Sequence, residues 1–193
     1  MKKIIAVLGD ASAAHGTDRY KLAFDTGRML IDEGYRVICG GMAGVMEAVC
    51  AGARSSSSYR EGDTIALIPS FDHDKVNEFV DIVIPTGMDV VRNALTGNAD
   101  AVIAIGGGAG TLSEMAFAWT YYRLIIAYRS IPGWAQKLAD TRIDGRMRYE
   151  NIPDDRVYGA DSPAEAAEIL REKISLYTKG FEGISWRNPK RDK

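Results

Sequence analysis

VIAIGGGAGTLSEM, residues 102–115, is the stretch that decides the fold. An apolar run rich in β-branched side chains (Val102, Ile103, Ile105) stops at three glycines. Ala109, Gly110 and Thr111 follow, and then a helix-like segment with Glu114 read into its first turn. The pattern predicts a buried strand, a glycine turn and a helix N-terminus. Glycine lets backbone approach a ligand closely. The free N–H groups and positive dipole end of the helix offer a site for an anion, most often phosphate. The competing reading is a tight strand-to-helix turn with no ligand.

The same arrangement occurs twice more. Residues 35–39 (YRVIC) read as a strand that runs through Gly40, Gly41 and Gly44 into a helical pattern at Val45, Val49 and Gly52. At the N-terminus, residues 4–9 (IIAVLG) run into Asp10, Ala11 and Ser12. Open parallel sheets bind ligands at the carboxyl edge of their strands. Three such loops on one edge, with Gly9 and Ser12 on the third side, outline a nucleotide-sized pocket.

The rest of the chain alternates in the same sense. A helical stripe (Tyr20, Phe24, Gly27, Ile31) fills 18–33, and Gly34 is its stop. Strands are expected at 64–68, 80–84 and 124–128, and helices at 89–98 and 111–122. Pro132 opens another short helix. Ser162-Pro163-Ala164-Glu165 combines a capping box with proline at N1, and Gly180 closes that last helix. Residues 55–62 form a polar loop too short to divide domains, and 140–156, rich in Asp and Arg, is the most irregular stretch. The alternation argues an α/β fold, a single-domain Rossmann-like doubly wound parallel sheet flanked by helices. That places one nucleotide-binding domain over 1–180 and a basic tail over 181–193.

Composition narrows the function. The 193 residues suffice for a sizeable core. A formal net charge of −2 gives no broad pull toward nucleic acid, and the basic run 186–193 reads as a solvated terminus. Cys39 and Cys50 offer no disulfide framework and read as buried thiols in a reducing cytoplasm. No apolar stretch reaches the roughly 18 residues that span a bilayer. Neither His15 nor His73 shows metal-ligand spacing, so no metal is expected. A dinucleotide fingerprint needs a third glycine where Thr111 stands, and no acidic residue lies in 124–136 to hold a ribose, so NAD is not expected. A Walker A loop or a pyridoxal phosphate site needs a lysine that neither glycine loop has nearby.

The run Gly107-Gly108-Ala109-Gly110-Thr111-Leu112-Ser113-Glu114 resembles the GGxGTxxE signature of the LOG superfamily, long mislabelled as lysine decarboxylases. Gly40-Gly41 with Gly44-Val45-Met46 is similar to that family's GG..GLM loop, and Val91-Arg92-Asn93 precedes the glycine-rich strand. The likeness covers roughly residues 4–128. The superfamily includes nucleoside-monophosphate phosphoribohydrolases and molybdenum cofactor carriers, so the resemblance implies a phosphate-bearing nucleotide or pterin ligand and a homo-oligomer, a dimer or tetramer. The phosphoribohydrolases read PGGxGTxEE with Glu-Arg-Lys upstream. Here Gly106 stands for the proline, Ser113 for the first glutamate, and Val91 and Asn93 for the neighbours of the arginine. The pattern is closer to the branch of the molybdenum cofactor carriers.

Arg92 and Glu114 keep the counterparts of the catalytic pair. Each also has a simpler reading: a carboxylate in a first helical turn is stabilised by the dipole, and a helix arginine is commonly solvated. With Gly9, Ser12, Gly40, Gly41, Gly44, Asn93, Gly107, Gly108, Gly110 and Thr111, they make the expected site. Met115, Phe117 and Trp119 are expected in the core or at a subunit contact. The expected function is binding of a nucleotide or phosphorylated cofactor, molybdenum cofactor among the candidates, without NAD or pyridoxal phosphate. The alternative is hydrolysis of the N-glycosidic bond of a nucleoside 5′-monophosphate.

Overall fold

The computed structural model describes residues 1–183. The elements follow the chain as β1 (Ile4–Gly9), α1 (Asp18–Asp32), β2 (Arg36–Cys39), α2 (Val45–Arg54), β3 (Thr64–Ile68) and β4 (Ile82–Pro85). A 3-10 turn, Asp89–Arg92, leads into the short α3 (Asn93–Thr96). Then come β5 (Ala101–Ile105), α4 (Ala109–Thr120), β6 (Leu124–Tyr128), α5 (Trp134–Leu138), β7 (Val157–Ala160) and α6 (Pro163–Lys173). All seven strands pair in parallel, in the order β4-β3-β2-β1-β5-β6-β7. Strand order reverses between β1 and β5, which opens a crevice at their carboxyl ends. The sheet is Rossmann-like and doubly wound.

The period of two along the strands divides the core into two layers. Ile5, Val7, Ile103, Ile105, Ile126 and Tyr128 point to the face covered by α1, α2 and α6. Ala6, Leu8, Val102, Ala104, Ile125 and Ala127 point to the face that holds Met115 and Trp119 of α4 and Ala135 of α5. Small side chains on this second face let α4 lie close to the sheet. Met115 and Trp119 are core, whereas Phe117 keeps 36% of its surface exposed.

Glycine sets the contact between α1 and α2. A Cβ built at Gly52 would lie 1.8 Å from the carbonyl oxygen of Phe24, and one at Gly27 2.0 Å from that of Val49. The two backbones touch at both points. The buried stripe of α1 (Ala23, Thr26, Gly27, Leu30, Ile31) is turned slightly from the expected Tyr20-Phe24-Gly27-Ile31 line to bring Gly27 to this crossing.

Three expectations need correction. The strand after β3 is displaced to Ile82–Pro85, because Asp81 is held outside it by the Tyr59 hydroxyl, the Gly62 N–H and Arg54. The helix expected over 89–98 is a 3-10 turn and one α turn. The last helix stops at Lys173, well before Gly180, because Tyr177 leaves the helical path to donate a hydrogen bond to buried Asp155 (2.7 Å). Residues 140–156 carry no helix or strand, as expected of an irregular stretch, yet they are pinned. Arg148, 2% exposed, pairs with Asp155, lies 3.7 Å over the Trp119 ring and donates to the Trp119 and Arg123 carbonyls at the end of α4. This anchor delivers the chain to β7, a strand that the sequence reading missed. The basic run 186–193 lies outside the described residues. Among the described residues, no helix is long and apolar enough to cross a membrane.

Candidate functional site

The crevice between β1 and β5 opens into a cleft of about 380 Å³. Of the expected residues, Gly9, Gly40, Arg92, Asn93, Gly108, Gly110, Thr111 and Glu114 line it. Gly41, Gly44, Gly107 and Ser12 do not. Gly41 backs the wall, its N–H donating to the Cys39 thiol (3.4 Å). Gly44, at φ +67°, leaves room for the Asp10 and Ala11 backbone and caps α2. Gly107, at φ +81°, turns the chain above Thr111, whose side chain fills the space a Cβ would need. Ser12 hydrogen-bonds to Asp10.

Arg92 reaches the cleft from the end of the 3-10 turn and is 7% exposed. Its guanidinium occupies the space beside Gly40, where a Cβ would come within 2.7 Å of it. Nε and Nη1 are buried without any hydrogen-bond partner. No carboxylate lies within ion-pair distance of it among the described residues. A buried guanidinium is ordinarily paired, because desolvating a charge is costly. Arg92 is therefore a buried cation without a hydrogen-bonded or ion-paired partner among the described residues, facing a cleft with the Glu114 carboxyl close enough to feel its charge, and the reading of it as a solvated helix residue is excluded.

Opposite stands the start of α4. No side chain caps it, and no acidic residue lies in its first turn. Its first N–H groups have no partners within the helix. Gly108 and Gly110 have essentially open space where their side chains would be. Asn93 donates to the Ser113 hydroxyl (2.7 Å), which donates to the Gly110 carbonyl (2.7 Å), and so fixes this turn. Asn93 and Ser113 are two of the positions that depart from the phosphoribohydrolase pattern, and here they form one hydrogen-bonded pair.

Glu114 lies in the second turn of α4, one turn later than the sequence suggested, so the dipole of a first turn does not explain it. It is 8% exposed, and burial raises its pKa from 4.5 to about 7, with Arg92 and the nearby Thr96 hydroxyl pulling the other way. The folded chain thus holds a proton on Glu114 that the unfolded chain has lost between these two values. Stability falls as pH rises through that window. Glu114→Gln, with no charge to bury, is expected to match the wild type below about pH 4.5. Above pH 7 it should be more stable by about 3 kcal/mol. Urea denaturation of both proteins at pH 4.5 and 8 checks this; an equal difference at both pH values would contradict it.

Asp10, Ala11 and Met46, which the sequence reading placed in the loops without assigning them to the site, also line the cleft, as do Met42, Pro69, Asp89 and Val90, which it did not name for the pocket. Asp10 directly follows a strand that the sequence did locate, and that position was the available signal. Behind the wall, Cys39 and Cys50 are buried with their sulfurs 3.6 Å apart. His15 pairs with Glu47 (2.9 Å), away from the cleft lining. Among the described residues, no group of three or more His, Cys, Asp or Glu side chains could hold a metal ion.

Fold and cleft together define a Rossmann-like protein whose glycine-walled crevice at the switch point holds a buried arginine. The chain belongs to the SLOG cluster4 family, whose model matches residues 2–166, within the LOG superfamily. It is 38% identical over 115 residues to an uncharacterised protein of Archaeoglobus fulgidus, covering 59% of this chain and 72% of that one. The molybdenum cofactor binding protein of Rippkaea orientalis superposes with a TM-score of 0.73 at 31% identity, over 90% of this chain and 98% of that one. The molybdenum cofactor carrier protein of Chlamydomonas reinhardtii shares the fold, with a TM-score of 0.71 at 23% identity over 91% and 99% of the two chains.

Proposed function

We propose that this protein binds a small phosphate-bearing ligand, a nucleotide or a pterin-type cofactor such as molybdenum cofactor, in the crevice between β1 and β5. The observation that carries the proposal is the buried, unpartnered guanidinium of Arg92. In this reading Arg92 and the N–H groups at Gly108, Gly110 and Thr111 hold the phosphate, since guanidinium and helix N-termini are strong oxyanion donors. Asn93 braces that turn. Gly9 and Gly40 line the cleft, Gly9 leaving room for the Val45 side chain and Gly40 for Arg92 and Met46, and Ser12, Gly41, Gly44 and Gly107 shape the loops. A cleft of about 380 Å³ falls in the usual range for small-molecule pockets. The likeness to the Rippkaea orientalis protein supports a cofactor carrier. We place the protein in the cytoplasm as a homo-oligomer; exposed Leu95 and Phe117 supply apolar surface for a subunit contact.

Gly108→Leu tests the placement. The substituted side chain meets no protein atom within 4 Å at its Cβ, and the backbone there is not in the left-handed region, so folding is expected to be unaffected. The leucine would instead fill the phosphate cradle. In thermal-shift titrations with nucleoside monophosphates and inorganic phosphate, the wild type should gain about 2.7 kcal/mol at a hundredfold excess over Kd. That amounts to roughly 5–10 °C for a chain of this size. Gly108→Leu should gain nothing. Equal shifts in both proteins would move the site elsewhere.

One observation favours a second reading, in which the ligand is cleaved. A buried carboxyl with a pKa of about 7 beside an anion site is suited to general acid–base work at neutral pH. Cleavage of an N-glycosidic bond develops positive charge on the ribose ring. Ionised Glu114 would stabilise that charge and orient or deprotonate the attacking water, while Arg92 anchors the phosphate away from the reacting carbon.

A further inference from the structure

The loop after β1 carries a carboxylate for which phosphate binding has no use. Asp10 lines the same cleft as Arg92. Oδ1 accepts hydrogen bonds from the Ser12 N–H (3.1 Å) and the Ser12 hydroxyl (2.6 Å), and Oδ2 accepts one from Arg19 Nη1 (2.7 Å). Arg19 also donates to the Pro132 carbonyl (3.2 Å), and the Asp10 carbonyl accepts the N–H of Val45 at the head of α2 (3.1 Å). Ser12 and Arg19 thus hold the carboxylate, Pro132 after β6 holds Arg19, and the first turn of α2 holds the Asp10 backbone.

An ionised carboxylate offers about four acceptor positions. Three are occupied, and the side chain remains 21% exposed. What Asp10 can still do is accept a hydrogen bond from something in the cleft. It cannot favour a second anion, because like charges repel. The cleft lining therefore carries two unlike fixed groups, a cation at Arg92, nine-tenths buried and unpartnered, and an anionic acceptor at Asp10, with Asp89 and Glu114 as its other carboxyl groups. A ligand matching both carries phosphate at one end and O–H or N–H donors at the other.

Resting on the reading of Arg92 as the phosphate anchor, we propose that Asp10 is the specificity residue of the cleft. It accepts a hydrogen bond from a hydroxyl or amino group of the ligand and so selects phosphomonoesters of a sugar or an amino-bearing heterocycle over inorganic phosphate. Ser12 and Arg19 are positioning residues that hold the carboxylate at the required angle. A site built around a fixed hydrogen-bond partner disfavours analogues that lack it, because the acceptor they cover is then left unsatisfied.

The test is calorimetric titration of the full chain with four probes: inorganic phosphate, guanosine 5′-monophosphate, inosine 5′-monophosphate and 2′,3′-dideoxyguanosine 5′-monophosphate. Inosine monophosphate lacks the amino group, which sits on the ring edge that guanine shares with pterins. The dideoxy compound lacks the ribose diol. The wild type is expected to bind guanosine monophosphate about tenfold or more tightly than one of the two analogues, and which one identifies the donor that is read. In Asp10→Asn that gap should close while inorganic phosphate binds no more weakly. Ser12→Ala, which keeps the carboxylate but frees Oδ1, should narrow the gap in part, with melting temperatures showing that both variants fold. A wild type without any gap, or a gap that survives Asp10→Asn, overturns the role of Asp10 and leaves the phosphate anchor standing. Failure of the wild type to bind any probe, inorganic phosphate included, overturns the anchor and with it this inference.

Discussion

Replacing Gly52 with valine is expected to cost about 3 kcal/mol or more, enough to leave the chain marginally folded at 25 °C. The Cβ would lie 1.8 Å from the Phe24 carbonyl oxygen, 2.6 Å from its carbon and 2.8 Å from its Cα. All three are backbone atoms of α1, so no rotamer change relieves the overlap. The helices must separate, and the reciprocal contact of Gly27 against the Val49 carbonyl is lost with them. Both helices cover the sheet face that holds the larger part of the core, so the gap opens onto Ile31, Val49 and Ala53. Gly145→Val is the control, since nothing lies within 4 Å of its Cβ. Its effect should stay within about 0.5 kcal/mol. Urea denaturation compares the two variants directly. A midpoint for Gly52→Val equal to that of the wild type would contradict the account of this crossing.

The sheet was legible where residue pattern alone fixes an element. β1, β5 and β6 are short apolar runs ended by glycine or polar residues, and all three lie at the places read from the sequence. The cap of α6 was legible as well: the Ser162 side chain accepts the Glu165 N–H, with Pro163 at the first helical position. β7 was not legible. Val-Tyr-Gly-Ala is four residues long, contains a glycine and follows a stretch dense in charge. It becomes a strand because Arg148 and Asp155, paired just ahead of it, are tied to Trp119, distant in sequence, and lock the chain before it. The end of α6 escaped for the same reason, since Tyr177 answers to Asp155 rather than to helix propensity.

The cleft divides along similar lines. Glycine loops announce themselves by composition, so Gly9, Gly40, Gly108 and Gly110 were found, while their division into lining and supporting residues depends on φ angles and close contacts. Ser12 was placed in the pocket, and the structure places it one bond behind, holding Asp10. Asp89 and Val90 enter the lining through the 3-10 turn, which no helical periodicity predicts. The superfamily signature pointed to Arg92, but only the structure shows that it is buried without a partner.

That state of Arg92 has a consequence with two opposite signs. Arg92→Met removes a buried charge that no hydrogen bond or ion pair among the described residues compensates, so below about pH 7, where Glu114 is protonated, the variant without ligand is expected to be at least as stable as the wild type, and more stable by about 1 kcal/mol or more where the side chain packs well. The same change should abolish phosphate binding, because the remaining helix N-terminus then faces Glu114 with no cation beside it. A residue kept for the fold would show the reverse. The decisive measurement is calorimetric titration of inorganic phosphate and a nucleoside monophosphate into wild type and Arg92→Met, with urea denaturation of both. Binding confined to the wild type, in a variant no less stable, is the predicted result. Undiminished phosphate binding by Arg92→Met would contradict the central claim.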